Sequence, residues 1–483
     1  MPIRKVQWYL GGFALAFTWS MAATAHAVTF NVNTNTDTHD KVIDGVCDDG
    51  TGAKLKPPKK VCSLRAAIEE ANAGFQDTIN VPALNIKLDA TKGHLLITAD
   101  TWIVGAGSGS TIVDGNYAIR VLKVDNAADV EIDGVTLRNG SGQNTTSDRG
   151  PELLGGTLMV NTSYALVTLQ RVRVERLPTT IKSQIQPGGG IYSQGFLYLI
   201  DSVVNGNSTI VTNGGVSALG GGIYVAPGSD TTGFLSLYYS TVSNNTSSRG
   251  GGLLVNGSQL MCFNSTISGN TAQSQGGGAG IDFEGDQSGG DYGSYIAFST
   301  ITNNSMVSPL GSEIGWGGGI LNRDSTVRIG KSIIAKNKDP RASTDPNFSP
   351  DIGQTLPRSI AGAPFPGGTM ISYDDNFIGG AAVGPGKHLN MLLDGMMTGR
   401  YVSSHLGGFV QPFDWVGKGT VTLGGLVQES GTLTPTCALQ AGDPINAYTS
   451  NGGDSFFNPA TDDQRHHARP AQTNLIDSGS YEK

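Results

Sequence analysis

Hydrophobic and polar residues alternate in short runs along most of the chain. In the run FLSLYY, residues 234–239, Leu235 and Leu237 fall on one side of an extended backbone and Ser236 falls on the other. This two-residue period predicts β-strands of about five residues, each with one buried face. Similar runs recur from Thr111 to Lys338, so this part of the chain is predicted to form many short strands joined by tight turns.

Two short phrases alternate in strict order between these runs. The first is a glycine triplet followed by an aliphatic residue, and it occurs at 188–191, 220–223, 250–253 and 317–320. The second begins with serine, continues with aliphatic positions and closes with Asn207, Asn245, Asn270, Asn304 or Asn337. Strand, glycine turn, strand and asparagine turn together are typical of one coil of a parallel β-solenoid. Stacked asparagines are then expected to hydrogen-bond along the axis.

The patterns therefore predict an all-β fold. It is a right-handed parallel β-helix (solenoid) with a short N-terminal capping helix and irregular C-terminal coils. The predicted regions are a signal peptide (1–27), an N-terminal cap with the first coils (28–110), the β-helix repeats (111–338), and irregular C-terminal coils with a terminal module (339–483).

One amphipathic helix is predicted within the stretch VCSLRAAIEEANA, residues 61–73. Ser63 is expected to cap its start, Gly74 to end it, and Arg65 to pair with Glu69 one turn later. A helix this short is marginal in water and needs packing to be stable. The first coil of a solenoid has an open apolar end, and the helix is predicted to cover it.

Four cysteines raise the question of disulfides. Cys47 and Cys62 flank a loop and are predicted to form a bond that fastens the helix; closing a loop of about 15 residues contributes roughly 3 kcal/mol in the chain-entropy model. For Cys262 and Cys437 two alternatives remain, a bond between them or a buried free thiol.

The N-terminus has the features of a secretory signal peptide. Arg4 and Lys5 precede an apolar run, and Ala25-His26-Ala27 has the small-residue pattern of a cleavage site. No later run reaches the roughly 18 apolar residues of a membrane-spanning helix. We therefore expect an exported protein, secreted or at the cell surface, without a transmembrane segment, in a compartment that permits disulfides.

Composition and charge narrow the possible partners. The chain has 483 residues, of which 69 are glycine, and a formal net charge of −8. The glycines indicate many turns. The negative charge argues against nucleic acid or an anionic membrane as a partner.

At both ends the sequence resembles known secreted proteins. VCSLRAAIEEANA resembles the Cys-Ser-Leu-Arg-Glu-Ala motif that opens a family of secreted bacterial right-handed parallel β-helix proteins, with Ala66 in place of the motif's glutamate. The repeats are similar to those of polymorphic outer-membrane proteins and related adhesins. The end, TDDQRHHARPAQTNLIDSGSYEK, resembles a choice-of-anchor-type module. The resemblance implies a β-helix with an extracellular role, and since no sorting tail follows, attachment is expected to be absent or non-covalent.

The densest acidic cluster, in GIDFEGDQSGGDYGS, contains Asp282, Glu284, Asp286 and Asp291. Carboxylates on a glycine-rich loop suit Ca²⁺, or the carboxylate pair of a glycoside hydrolase. The spacing matches no standard calcium loop, so a solvated loop is the favoured interpretation and Ca²⁺ the alternative. No other cofactor and no metal site is predicted.

Basic residues form a second candidate site. Arg171 and Arg173 in LQRVRVERLP are expected on one outward face of a strand, and Lys182 is a further member of the candidate site. They are candidates for binding an acidic polysaccharide, and a lyase needs a base of this kind beside the proton that it removes. Exposed strand positions also carry arginine for solubility, and this second interpretation is favoured.

Tyrosines recur in neighbouring coils at Tyr192, Tyr198, Tyr224, Tyr238 and Tyr239. Stacked on one outward face, they would form a platform for sugar rings. Pointing inward, they would fill the core. The register of the strands decides between these alternatives.

These features favour a non-enzymatic interaction protein, adhesin-like, that binds an extracellular or cell-surface polysaccharide or matrix. The alternative is a polysaccharide lyase or glycoside hydrolase that acts in a groove of the β-helix. An enzyme should gather acidic, basic and aromatic side chains in one groove, whereas an adhesin should show repeated stripes. The sequence shows repeated stripes of similar residues, which favours the adhesin.

Overall fold

The computed structural model describes residues 27–126, 129–142, 154–178, 188–209, 218–228, 233–273, 277–285, 293–307, 317–323, 325–330, 332–339 and 351–354, and, further along, the backbone of the strands given below. The signal-peptide segment, Lys182, Asp286, Asp291 and Cys437 lie outside the described residues.

Three long parallel sheets build the fold, and each coil of the chain adds one strand to each sheet in turn. Sheet 1 consists of Thr29–Asn31, Asp77–Val81, Thr101–Gly105, Asp129–Asp133, Leu166–Gln170, Phe196–Ile200, Phe234–Tyr238, Gln259–Phe263, Ser294–Ala297, Thr326–Gly330, Thr369–Tyr373 and Met391–Leu393. Sheet 2 consists of Asn85–Lys87, Ile112–Asp114, Thr136–Arg138, Arg173–Glu175, Val203–Asn205, Thr241–Ser243, Thr266–Ser268, Thr300–Thr302, Ile333–Ala335 and Phe377–Ile378.

Sheet 3 carries the segments that follow the glycine triplets. Its strands are Leu95–Ile97, Leu122–Val124, Leu158–Val160, Ile191–Ser193, Ile223–Val225, Leu253–Asn256, Ile281–Glu284, Ile320–Asn322, Ile352–Gln354 and Ala381–Val383. Smaller elements are the parallel strands Thr246–Ser247, Thr271–Ala272 and Ser305–Met306, the antiparallel pairs Arg358–Ile360 with Ala363–Phe365 and Leu426–Glu429 with Thr432–Pro435, the α-helix Leu64–Ala71, and the 3₁₀ turns Thr51–Lys54 and Ala90–Lys92.

The parallel β-helix predicted from the repeats is confirmed. Its right hand remains the sequence-based prediction, in line with the preference of parallel crossover connections. Strands as far as Met391–Leu393 join the same three sheets, so coils of the β-helix continue beyond Lys338.

The core is one continuous column inside the coils. Within the strands of sheet 1 as far as Thr326–Gly330, alternate side chains point inward, as Leu197 and Leu199 do with no exposed surface. Equivalent residues stack in register from coil to coil, and Leu197 lies beside Leu235, which lies beside Leu260. The resulting core extends from Phe30 to Ile352. Because each coil covers only its neighbours, stability is distributed along the axis.

The glycine triplets are explained by two steric demands. The first glycine has a left-handed backbone, as at Gly220 with φ 61°, a conformation that costs little only without a Cβ. At the third, a Cβ on Gly222 would lie 2.6 Å from the carbonyl oxygen of Gly252 and 2.8 Å from Asn245 Nδ2. Neighbouring coils therefore approach too closely for any side chain.

The asparagine ladder predicted from the repeats is also confirmed. Each Nδ2 donates to the Oδ1 of the asparagine in the next coil, in the order Asn207, Asn245, Asn270, Asn304 and Asn337. The last of them donates to Asp351 Oδ1 at 2.8 Å, so a carboxylate that only accepts ends the ladder. The ladder pairs asparagines that are themselves buried, although Oδ1 of Asn207, the first of them, has no hydrogen-bond partner among the described residues.

The residue before each ladder asparagine has a left-handed backbone. The five positions are Gly206, Asn244, Gly269, Asn303 and Lys336. Glycine and asparagine suit this conformation, whereas lysine at φ 60° carries the steric cost of its Cβ. The repeat phrase thus combines one conformational position with one hydrogen-bonding position.

Replacing Lys336 by glycine should therefore stabilise the protein by about 0.5–1 kcal/mol, since relief of the left-handed strain exceeds the extra flexibility of the unfolded chain. Thermal melting of the purified protein measures this. The control is Lys336→Ala, which removes the same exposed side chain but keeps a Cβ and should give no gain. Equal melting temperatures for the two variants would contradict the argument.

The N-terminal helix packs on the first coils. Ser63 caps it by accepting a hydrogen bond from the backbone of Ala66 at 3.0 Å, as predicted. Leu64, Ala67 and Ile68 are buried in the main core. The helix contacts strands Asp77–Val81 and Leu95–Ile97, and the predicted disulfide joins Cys47 to Cys62 directly before it.

The predicted pair between Arg65 and Glu69 was wrong. Arg65 is buried and donates from Nε and Nη2 to the two carboxylate oxygens of Asp37, at 2.7 and 2.9 Å. Nη2 also donates to the carbonyl of Gly93 at 2.8 Å. Glu69 instead accepts from His39 and from the backbone of Asp40. Arg65 therefore fastens the helix to the loop before it and to the first coils, rather than stabilising the helix internally.

Cys262 is a free thiol at an inward position of sheet 1. Burial raises its pKa to about 12. The thiol thus remains protonated at neutral pH and acts as a small core residue. This is the simpler of the two alternatives that the sequence left open.

Candidate functional site on the outer face of sheet 1

The outer face of sheet 3 is covered. Side chains that point away from the core in successive coils are nevertheless buried: Lys123, Met159, Tyr192, Tyr224, Leu254, Asp282 and Leu321. Leu154 and Leu219, from the segments that lead into the glycine triplets, pack against this row. No sugar platform is therefore available at these positions.

Tyr192 and Tyr224 belong to this covered row. Their rings meet edge to face with centroids 5.4 Å apart, and their side chains form a small cluster with Met159, Ala226 and Leu254, separate from the main core. Burial raises the pKa of the Tyr224 phenol, which accepts a hydrogen bond from Asn256 Nδ2 at 3.1 Å. The expectation that these two tyrosines contribute to an exposed platform is corrected: they are structural.

Asp282 is an ion-pair residue rather than part of an exposed loop. It is fully buried, and its two oxygens lie 3.1 Å from Arg249 Nε and 3.3 Å from Arg323 Nε. Glu284 is half-buried and lies 3.4 Å from Arg249 Nη2. The two carboxylates raise the pKa of Arg249. The predicted solvated loop is thus wrong for Asp282, whose charge is compensated by protein groups.

The two arginines of the candidate basic site do not share a face. Arg171 lies in the turn after sheet 1 with φ 53°, whereas Arg173 begins a strand of sheet 2. Arg171 binds both oxygens of Asp133, with Nε at 2.8 Å from one of them, and this contact raises the pKa of Arg171. Arg173 pairs with Glu175 at 2.9 Å. Each arginine is matched by a carboxylate, so neither offers an unpaired charge to an acidic polymer.

The outer face of sheet 1, unlike that of sheet 3, is accessible to solvent. Five rings from three successive strands lie on it, and we call them the aromatic group: Phe196, Tyr198, Phe234, Tyr238 and Phe263. The ring of Phe234 lies 6.2 Å from that of Phe196 and 5.4 Å from that of Tyr198. Tyr238 lies 6.1 Å from Phe263 and is 37% exposed. The rings therefore form two partly buried apolar clusters on one face, one of Phe196, Tyr198 and Phe234 and the other of Tyr238 and Phe263.

Carboxylates lie on the same face, two coils before the first of these rings. Strand Asp129–Asp133, with the sequence DVEID, turns its two aliphatic side chains inward and Asp129, Glu131 and Asp133 outward. We call these three the acidic row. Partial burial, and then repulsion from neighbouring carboxylates, raises the pKa values of Asp129 and Glu131.

One register position connects the two groups. Trp102, Glu131, Thr168 and Tyr198 are successive partners in neighbouring strands. Strands in a sheet are about 4.8 Å apart, so Glu131 and Tyr198 lie about 10 Å apart along the axis. Trp102, on the other side of Glu131, is 44% exposed. The acidic row is thus bordered by aromatic side chains in both directions.

The sequence pointed to part of this surface only. Tyr198 and Tyr238 were among the tyrosines singled out, whereas the three phenylalanines and the acidic row were missed. The signal was present: in DVEID the alternation that predicts a strand also places three carboxylates on one side.

Comparison with known proteins gives no match: no family model, no curated protein and no solved structure matches this chain. Within the described ranges, no three or more histidine, cysteine, aspartate or glutamate side chains are grouped as metal ligands would be. In the same part of the chain, the α-helix and turns are too short and too polar to cross a bilayer. The functional argument therefore rests on the surface itself.

Proposed function

We propose that this chain is a secreted or surface-associated, non-enzymatic β-helix protein that binds an extracellular glycan along the outer face of sheet 1. The observation that carries the proposal is the aromatic group, whose two ring clusters lie on one accessible sheet face. Flat, rigid rings with an apolar face suit the C–H faces of sugar rings and lose little side-chain entropy on binding. The repeat of about 4.8 Å between coils suits a polymer rather than a single sugar.

Extracellular location is the second part of the proposal. The Cys47–Cys62 disulfide supports it, since such bonds persist in oxidising compartments. The N-terminal signal-peptide pattern and the resemblance to secreted β-helix proteins and adhesins support it from the sequence. These observations favour an extracellular location for the protein, the same as that of the proposed glycan.

A lyase or hydrolase is less well supported. The residues that it would use lie apart: Asp282 and Glu284 on sheet 3, Arg173 on sheet 2, and Arg171 in a turn. Each of the four is engaged by an oppositely charged side chain. General acid–base catalysis needs such groups to converge on one substrate bond. A binding surface needs no such convergence.

The test uses the mature protein on immobilised neutral, acidic and amino polysaccharides. The double variant Tyr198→Ala/Phe234→Ala should keep its fold. It should bind the polysaccharide that the wild-type protein binds about tenfold more weakly, or worse, as expected for the loss of two stacking rings. The matched control is Phe75→Ala, which removes an exposed ring (52%) far along the chain from the aromatic group.

Two outcomes would overturn the proposal. One is unchanged binding in the double variant. The other is release of reducing ends or unsaturated products from any polymer, because turnover would identify an enzyme.

A further inference from the structure

The acidic row is only partly neutralised by the protein. Arg171 pairs with Asp133 and also attracts Glu131 from a distance, but among the described residues neither Asp129 nor Glu131 forms an ion pair. The backbone N–H of Asp129 donates to Asp100 Oδ1 at 2.8 Å, which brings a further carboxylate to the row. The next cation that points outward at the Glu131 register position is Arg328, six coils further along. Negative charge therefore accumulates at one end of the face.

The same end offers apolar contact. Trp102 and Val104 lie in the preceding strand, beside Glu131 and Asp133 respectively. They are 44% and 40% exposed. Leu166, the partner of both Asp129 and Phe196, connects the row to the aromatic group. A ligand at this place meets rings and carboxylates together, which is the environment of a cation with an apolar body.

On the basis of the proposed glycan-binding function, we infer that the ligand of this face is a cationic glycan, a polymer of amino sugars whose amino groups are free and protonated. Complementary charge favours this ligand, because its protonated amino groups would face the carboxylates of the acidic row. A polyuronate would bring further carboxylates against Asp129 and Glu131. A neutral glycan would take water from these carboxylates without compensating their charge. The net charge of −8 attracts the same class of ligand over longer distances.

The experiment compares two oligosaccharides of equal length, a glucosamine hexamer and an N-acetylglucosamine hexamer, by calorimetry with the full mature chain. The pH is chosen so that the free amines are protonated and the carboxylates are ionised. The glucosamine hexamer should bind about tenfold more tightly, and salt should reduce this preference. Glu131→Gln should lower the preference about threefold to fivefold, the range of one partly exposed ion pair.

The matched control is Glu175→Gln, which removes a carboxylate from the outer face of sheet 2 and should leave the preference unchanged. Folding of the Glu131→Gln variant is verified by thermal melting. Its melting temperature should equal or exceed that of the wild type, because the substitution removes repulsion between carboxylates.

The outcomes separate this inference from the proposed function. Equal affinity for both hexamers, with binding still lost in Tyr198→Ala/Phe234→Ala, would overturn the cationic ligand and leave glycan binding intact. Undiminished binding of the glucosamine hexamer by that double variant would overturn the aromatic surface instead. Hexalysine binding as tightly as the glucosamine hexamer would show recognition of charge alone and would also overturn the inference.

Discussion

Replacing Asn270 by aspartate should destabilise the protein by about 3–5 kcal/mol, the loss expected when a buried polar network receives an uncompensated charge. In the wild type, Asn270 Nδ2 donates to Asn304 Oδ1 at 2.9 Å and to the carbonyl of Val242 at 3.0 Å. The substitution puts an oxygen in place of this donor, opposite two other oxygens. Because the site has no exposed surface, water cannot relieve the repulsion.

The effect should depend on pH. Burial and the facing oxygens favour the neutral form of the new carboxyl, so its pKa in the folded state lies above its value in the unfolded chain. A group of this kind binds more protons in the folded state, and stability falls as pH rises through the folded-state pKa. The loss relative to wild type should thus be smallest in acid and largest at neutral pH. Urea unfolding at two pH values measures it.

Asn244→Asp is the control, since it makes the same chemical change one coil earlier at an exposed position. Asn244 Nδ2 donates to Asn205 Oδ1 at 2.9 Å, and its left-handed backbone accepts aspartate as readily as asparagine. The expected loss is below about 1 kcal/mol. Equal losses for the two variants would show that the ladder contributes nothing beyond an ordinary surface hydrogen bond.

The ladder could be predicted from the sequence because its information is local and periodic. Four of the five asparagines follow a short aliphatic run and a glycine or asparagine suited to a left-handed backbone, and the same order returns from coil to coil along the ladder. Since strands in a solenoid stack in register, equal places in the repeat become neighbours in space. The same reasoning explains why the glycine triplets, the Ser63 cap and the core positions were predictable.

Contacts across the chain were not predictable in this way. Arg65 was assigned to Glu69 by the helical period, yet its partner Asp37 lies in the preceding loop. A buried guanidinium needs carbonyl oxygens and a carboxylate around it, and only the folded chain assembles them. The two-residue period likewise left Tyr192 and Tyr224 either outward or in the core and gave no sign of the segments that cover the outer face of sheet 3.

The candidate surface could be predicted from the sequence only in part. Alternation alone implies that the three carboxylates of DVEID share one side of a strand, but only the register between strands placed Trp102, Glu131 and Tyr198 in line. Register across coils depends on the length of every intervening loop, and these loops vary along the chain. The types of residue on this face could therefore be predicted from single strands, whereas their arrangement across strands could not.

Asp282→Asn should destabilise the protein by about 3 kcal/mol, which would identify Asp282 as the buried partner of two arginines rather than as a ligand of calcium. The substitution keeps the shape of the side chain but removes the charge between Arg249 and Arg323. Arg249 is then left in a largely dry environment with the half-buried Glu284, and a buried charge that loses its main partner is costly. Thermal melting and urea unfolding, in EDTA and in calcium chloride, measure the loss.

Glu284→Gln is the matched control, because Glu284 shares Arg249 at 3.4 Å but is 35% exposed. Its loss should be below about 1 kcal/mol, since solvent screens the pair. The ion-pair explanation requires the loss at Asp282 to be the same in EDTA and in calcium. A calcium ligand would behave differently: the melting temperature of the wild type would rise with calcium, and both substitutions would abolish the rise. Because both carboxylates face arginines, we expect the first result, and Asp282 and Glu284 then contribute to the packing of sheet 3 rather than to ligand binding.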